Sequence, residues 1–131
     1  SAFAETEDNK PFKRHTLTPA GPIHISLEYD AALLAARSST LVQNLIFSNS
    51  GTQPVTGFMC KAAVPKHMQV QITPPSSSEI PPAHAAEVTQ TIRLSGVERG
   101  KALKVRLRVE YVDEHGQSAD HTADVNLADL A

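Results

Sequence analysis

The sequence has little of what a disulfide framework, a metal centre or an active site requires. Its 131 residues include a single cysteine, Cys60, so it has no partner for an internal disulfide and no Cys-x-x-Cys motif for zinc or redox chemistry. A reducing compartment fits this composition best. Because Cys60 stands among apolar residues in a predicted strand, we interpret it as a small buried side chain rather than a reactive thiol.

Other absences exclude further classes of function. No serine stands in a GxSxG-type elbow, and the 6 glycines do not cluster into a phosphate-binding loop. The 6 histidines are scattered singly, without a second histidine or a cysteine at the spacing of zinc ligands. We therefore expect no enzyme, no metal site and no cofactor.

Charge and hydropathy argue against two kinds of partner. A formal net charge of −2, with 20% charged residues, gives no general electrostatic footprint for nucleic acid. No apolar run approaches the roughly 18 residues of a membrane span. The start, SAFAETEDNKPFKRHTLTP, has acidic residues where a signal peptide is apolar. The sequence predicts neither nucleic-acid binding nor direct membrane insertion.

The chain is long enough for one folded domain. A hydrophobic content of 40% over 131 residues supplies a single core and is too little for two ordinary domains. Residues 1–20 mix both signs of charge with Pro11 and Pro19 and show no sustained period. We predict a flexible linker over residues 1–20 and a folded domain over residues 21–131.

Apolar and polar residues alternate repeatedly along the folded part, which is typical of strands with one buried face. Residues 30–39, DAALLAARSS, interrupt this pattern as a connection with one helical turn that Asp30 can cap. The proline- and serine-rich residues 73–82 must cross the surface as a loop. About seven to eight short strands favour an all-β, immunoglobulin-like antiparallel sandwich. The predicted strands cover residues 23–29, 41–47, 55–64, 67–72, 87–94, 103–111 and, at an edge, 118–127.

The clearest strand pattern, LKVRLRVEY at residues 103–111, carries a row of basic side chains. Lys104, Arg106 and Arg108 project from one face at a spacing of about 6.6 Å. Such a row is most often the solvated outer face of a sheet. The functional alternative is an anion-binding track, since guanidinium groups grip carboxylates bidentately. Specificity would then need an apolar hollow, which AVPK at residues 63–66, with Ile72 and the prolines, could line.

These same residues resemble a known family, the gamma-adaptin ear domain, called the GAE domain in the GGA clathrin adaptors. The matching stretches are FMCKAAVPKHMQVQITPPSSSEIPP, residues 58–82, and LKVRLRVEY, preceded by TQTIRL. Weaker similarity extends the resemblance over about residues 22–127. The chain differs from the family in ending VNLADLA rather than with an aromatic residue and proline. The choice between the gamma-adaptin and GGA subfamilies stays open.

The resemblance implies a fold, a function and a set of site residues. The implied fold is an eight-stranded immunoglobulin-like sandwich. The implied function is recruitment of accessory proteins to clathrin-coated carriers at the trans-Golgi network and endosomes, in the cytoplasm and peripheral to the membrane. The domain would bind short peptides with an aromatic residue among acidic ones, and would engage the clathrin coat only indirectly. The implied peptide-binding residues are Lys66, Lys104, Arg106 and Arg108 for the acidic side chains, and Ala63, Ile72 and Pro75 for the aromatic one.

Two other hypotheses stay open. The basic face could belong to a structural module that meets lipid headgroups or another subunit. Alternatively, Phe3 stands just before Glu5, Glu7 and Asp8, a pattern loosely similar to the peptide ligands. The N-terminal segment would then occupy the site itself.

Overall fold

The strands form where apolar and polar residues alternate, because this period sends one row of side chains into the core and the other to solvent. The computed structural model of the protein describes residues 12–130. In chain order the elements are β1 Phe12–Thr16, β2 Ile23–Asp30, helix α1 Ala31–Ala35, β3 Thr40–Asn49, β4 Thr56–Ala63, β5 Gln69–Ile72, β6 Val88–Ser95, β7 Lys104–Val112, β8 Ser118–Asn126 and a short 3-10 helix Leu127–Leu130.

The strands form two antiparallel sheets that face each other. One has five strands in the order β1-β2-β3-β6-β5, and the other has three in the order β4-β7-β8. The predicted immunoglobulin-like sandwich is therefore confirmed, including the edge position of β8. Strand β7 lies at the centre of the smaller sheet, so its side chains have neighbours on both sides.

The inward rows of both sheets form one core. Leu27, Leu45 and Leu107 are fully buried. Phe47 of β3 meets Phe58 of β4 edge to face, with ring centroids 4.6 Å apart. Because each large buried side chain stabilises the fold by about 1.5–3 kcal/mol, these rows hold the two sheets together.

The folded part includes residues that the sequence assigned to the linker. Strand β1 pairs with β2 along its whole length, from Phe12 opposite Asp30 to Thr16 opposite Ser26. Leu17, which follows β1, is buried in the core. The segment FKRHT gives no sequence signal for this strand, because an edge strand that is exposed on both faces shows no apolar alternation. Residues 1–11 lie outside the described part of the chain.

Two short helices close one end of the sandwich. Helix α1 follows β2 as predicted, and its first turn is capped by Asp30, whose Oδ1 accepts a hydrogen bond of 3.1 Å from the amide of Leu33. The C-terminal 3-10 helix contacts α1 and buries Leu127 completely. Among the described residues, no helix combines the length and the apolar character needed to cross a membrane.

A tight turn joins β7 to β8 and fixes their alignment. Oδ1 of Asp113 accepts hydrogen bonds from the amides of His115 and Gln117, both 2.9 Å long. Gly116 has a φ of +73°, which a residue with a side chain rarely adopts. This geometry sets which side chain of β8 lies beside each basic side chain of β7.

Candidate functional site

The outward side chains of β4, β7 and β8 form a single surface, which we call the charged face. On β7 its basic row alternates with the core residues, as the sequence predicts. On β4, Ala63 lies opposite Arg106 and Lys61 lies opposite Arg108. On β8, Asp124 lies opposite Arg106. The charged face consists of Met59, Lys61, Ala63, Lys104, Arg106, Arg108, Glu110, Asp120, Thr122, Asp124 and Asn126.

Arg106 forms a two-point ion pair with Asp124. Its Nε lies 2.7 Å from Oδ1 and its Nη2 lies 3.2 Å from Oδ2. This hydrogen-bonded pairing raises the pKa of Arg106 and lowers the pKa of Asp124. The two side chains are 65% and 62% exposed. Because water screens an exposed pair, its contribution to stability is small, although its geometry is well defined.

Arg108 belongs to a separate network at the other end of the row. Its Nη2 donates to Oδ2 of Asp120 at 2.8 Å, and its Nε lies 3.4 Å from Oε1 of Glu110. The hydrogen bond to Asp120, followed by the charges of Asp120 and Glu110, raises the pKa of Arg108. Lys61 approaches Glu110 at 3.7 Å. Two cations and two anions therefore balance at this end of the charged face.

The positive surplus of the charged face lies at the Lys104 end. Across the described residues, Lys104 takes part in no ion pair, although its charge is a minor contributor, after Arg106, to the lowered pKa of Asp124. The basic row is therefore not a track of three free cations. The face carries the cations Lys61, Lys104, Arg106 and Arg108 against the anions Glu110, Asp120 and Asp124.

A hollow of about 600 Å³ opens beside this surplus. Its apolar wall comes from the end of β4 and the turn that follows, together with the end of β8. Its cationic border comes from the start of β7. The lining residues are Ala63, Val64, Pro65, Lys104, Val105, Arg106, Asp124, Val125 and Asn126.

The hollow brings together three of the residues that the family resemblance implies, Ala63, Lys104 and Arg106. Lys66 is exposed in the turn directly after the hollow's apolar wall. Arg108 is one outward position farther along β7 and lines a different, smaller hollow of about 310 Å³. The implied basic residues thus divide between a hollow-side group and a separate ion-pair network.

Ile72 and Pro75 lie at the neighbouring edge, outside the lining of the hollow. Ile72 ends β5 and is half-buried, and Pro75 is half-buried in the loop that follows. Gln90 connects this edge to the smaller sheet. Its side chain breaks the apolar pattern of β6 yet points inward, and its Nε2 donates to the carbonyls of Thr73 at 2.8 Å and Cys60 at 3.4 Å.

The acidic partners of the basic row were not predicted from the sequence. Asp120, Thr122 and Asp124 alternate along β8, but the residues between them, His121 and Ala123, do not form an apolar row, so the strand pattern is weak. A signal was present in the turn DEHG. A hairpin closed there pairs Val112 with Ser118, and counting back along both strands places Asp124 beside Arg106.

A metal site, which the sequence does not predict, and a role for the N-terminal segment around Phe3 are questions separate from the charged face. Within residues 12–130, no group of three or more His, Cys, Asp or Glu side chains is placed to hold a metal ion. Phe3 and its acidic neighbours lie outside the described residues. Among the described residues, the charged face with its hollow brings together Ala63, Lys104 and Arg106 of the residues that the family resemblance implies.

The sequence of this sandwich matches one family model, described as the adaptin C-terminal domain, over residues 22–128. The chain belongs to this family. The gamma-adaptin ear (GAE) resemblance seen in the AAVPK and LKVRLRVEY motifs is thereby confirmed, and the chain is an ear domain of the type found in clathrin adaptors.

Curated relatives come from both subfamilies. The AP-1 complex subunit gamma of Dictyostelium discoideum is 35% identical over 88 residues, which cover 66% of this chain and 10% of that protein. The ADP-ribosylation factor-binding protein GGA1 of Homo sapiens is 32% identical over 98 residues, which cover 71% of this chain and 15% of that protein. This ear domain therefore corresponds to a small part of each relative.

Solved structures share the fold. The GAE domain of GGA2p from Saccharomyces cerevisiae superposes with a TM-score of 0.70 at 22% identity, covering 87% of this chain and 96% of that domain. The yeast GGA1 GAE domain gives a TM-score of 0.69 at 22% identity, covering 86% and 98%. At this level of identity the similarity concerns the sandwich architecture alone.

Proposed function

We propose that this ear domain recruits accessory proteins to clathrin-coated carriers by binding short peptides that have an aromatic residue among acidic residues. The observation that supports this most is the hollow on the charged face. Its wall at Ala63 and Pro65 is apolar, and its border is formed by the cations Lys104 and Arg106. An aromatic side chain suits the wall, and carboxylates suit the border. The combination gives a specificity that charge alone would not.

The remaining implied residues extend this proposed site for a longer peptide. Lys66 follows the apolar wall in sequence, and Arg108 continues the basic row, so both lengthen the cationic border. Ile72 and Pro75 offer half-buried apolar surface at the β5 edge. We propose them as secondary contacts, since the hollow itself is lined by other residues.

The expected affinity is weak. Burying one phenylalanine contributes about 1.5–3 kcal/mol, and ion pairs at an exposed surface add less, whereas ordering a flexible peptide is costly. A dissociation constant in the micromolar range follows. Weak binding suits a coat, in which many linked contacts act together and can still be released. We place the domain in the cytoplasm, peripheral to trans-Golgi and endosomal membranes.

The proposal is tested by titrating the protein with a fluorescein-labelled peptide of sequence SDDGFEDS and measuring fluorescence anisotropy. Arg106→Glu should weaken binding by roughly tenfold or more, because an anion then borders the hollow and faces Asp124 without a partner. The matched control is Arg93→Glu, which makes the same change at an exposed position on the outer face of the five-stranded sheet. Equal affinities of wild type and Arg106→Glu would contradict the assignment.

A second peptide separates this proposal from the alternative of a basic module that meets lipid headgroups or another subunit. Replacing the phenylalanine of the peptide by alanine should abolish binding if the hollow recognises the aromatic ring, and should leave it intact if charge alone acts. The charge balance supports the alternative less. Lipid-binding clusters contain about 4–8 lysines and arginines, whereas most cations of the charged face are already paired.

A further inference from the structure

We propose that Asp124 is an intramolecular competitor of the bound peptide: its carboxylate occupies Arg106 in the free domain, and an acidic residue of the peptide must take its place. This inference rests on the peptide-binding function proposed above. It assigns to Asp124 a role in setting affinity and in selecting peptides, which the basic row alone does not suggest.

The geometry of the pair carries the inference. A guanidinium group grips a carboxylate best through two parallel N–H donors. In the free domain two such donors of Arg106, Nε and Nη2, both point at Asp124, at 2.7 and 3.2 Å. A peptide carboxylate that approaches from the hollow therefore meets an arginine whose side-on two-point position, formed by Nε and Nη2, is already filled. Within the described part of the chain, the end-on donors, Nη1 and the second N–H of Nη2, stay open, but a carboxylate bound there would share one guanidinium with the like charge of Asp124. The stronger contact therefore requires Asp124 to leave.

Displacement is feasible because few contacts other than the one with Arg106 hold the Asp124 side chain in place. Its side chain is 62% exposed, and within the described residues its carboxylate accepts hydrogen bonds from Arg106 alone. Asp124 also lines a second hollow, of about 410 Å³, on the β1 side of β8. A displaced carboxylate thus has open space and water on that side, and no core residue has to move.

The other acidic side chains of the charged face are placed differently. Asp120 and Glu110 both bind Arg108, which lies outside the lining of the hollow. Asp124, in contrast, lines the hollow beside Arg106. Competition is therefore confined to the end of the face where the aromatic side chain would enter. Peptides should be favoured when an acidic residue close to the aromatic one can reach Arg106.

The test compares Asp124→Asn with a matched variant of the same chain. Glu28→Gln also removes a carboxylate from an exposed arginine pair, Arg14–Glu28 at 3.2 Å, but on the outer face of the five-stranded sheet. Sheets in a sandwich pack about 10 Å apart, beyond the screening length of about 8 Å at physiological salt. With the SDDGFEDS peptide, Asp124→Asn should bind about two- to fivefold tighter than wild type, the range of one exposed ion pair. Glu28→Gln should bind like wild type.

A second measurement follows the exchange directly. The side-chain carboxyl signal of Asp124, observed by carbon-detected NMR during a pH titration, reports its pKa with and without saturating peptide. Release from Arg106 should move this pKa up towards its ordinary value. A role of Asp124 limited to local structure would leave its pKa unchanged by the peptide.

The outcomes separate the two proposals. If neither wild type nor Asp124→Asn binds the peptide, both the peptide-binding function and the competitor role of Asp124 are contradicted. If wild type binds and Asp124→Asn binds no tighter, or Glu28→Gln gains as much, the competitor is overturned and the peptide-binding function stands. Binding seen only with Asp124→Asn would support the competitor, because the Asp124 carboxylate would then prevent peptide binding altogether.

Discussion

Strand β7 has two faces that differ in almost every physical property. Its inward residues Leu107 and Val109 are completely buried, whereas the side chains of Arg106 and Arg108, which alternate with them, are 65% and 56% exposed. One strand thus supplies both the centre of the core and the centre of the charged face. Because strand geometry separates the two rows, residues adjacent in sequence contribute to different properties, the inward row to folding and the outward row to the proposed peptide binding.

The largest effect is expected from the inward row. Leu107→Ala should lower the free energy of unfolding by about 2–5 kcal/mol, since it leaves a cavity among fully buried neighbours. Urea denaturation followed by circular dichroism measures this loss. On the outward row of the same strand, Arg108→Ala should leave the denaturation midpoint nearly unchanged. Similar losses for the two variants would contradict the division of roles within β7.

A polar residue on the inward side of β6 allows a comparison between the core and the loop after β5, because its side chain contacts both. Gln90 is 3% exposed and donates to the carbonyl of Thr73, so it contributes to the core and also holds the loop after β5. Gln90→Ala should cost about 1–3 kcal/mol, because it removes a buried hydrogen bond and leaves space. Hydrogen exchange should also increase at Ser76, whose amide bonds to the carbonyl of Thr89. Unchanged stability would show that the other hydrogen bonds of the loop, including those of Ser76 and Thr73 to β6, hold it without Gln90.

The inward position of Cys60 gives a prediction about pH. Burial opposite Val109 raises the pKa of this thiol from 9.0 to about 12. The folded state therefore favours the protonated thiol, and its stabilising contribution is complete below pH 9 and is lost as the pH rises towards 12. One pH unit above 9, the loss should be about 1 kcal/mol. Urea denaturation at increasing pH, compared with Cys60→Ala, isolates this contribution. Parallel curves for the two proteins would contradict it.

The smallest effect is expected within the outward row. Arg108 is bound by two carboxylates and lies outside the hollow, whereas Arg106 borders it. Arg108→Gln should weaken binding of the acidic aromatic peptide by about twofold or less, and Arg106→Gln by more. Anisotropy titrations of both variants measure the difference. If Arg108→Gln had the larger effect, the peptide would have to lie farther along β7 than the hollow.

Much of the fold could be predicted from the sequence alone. The period of two in LKVRLRVEY determines which side of β7 is buried, because that period depends only on adjacent residues. The same reasoning located the strands from β2 to β7, while a weaker pattern placed β8 at an edge. The helical turn was predicted from composition, with Asp30 as its cap. Strand β1 was not predicted, because its own residues form no apolar row. Its pairing with β2 is what stabilises it.

Only the tertiary structure decided what the basic row can bind. Whether Lys104, Arg106 and Arg108 are free depends on the register between β7 and β8, which brings Asp124 and Asp120 against the two arginines and leaves Lys104 without an ion pair among the described residues. Distance between charges in the folded chain, and not their spacing in sequence, sets the strength of such pairs. The hollow beside Arg106 likewise arises where the ends of three strands meet, which no single segment of the sequence contains.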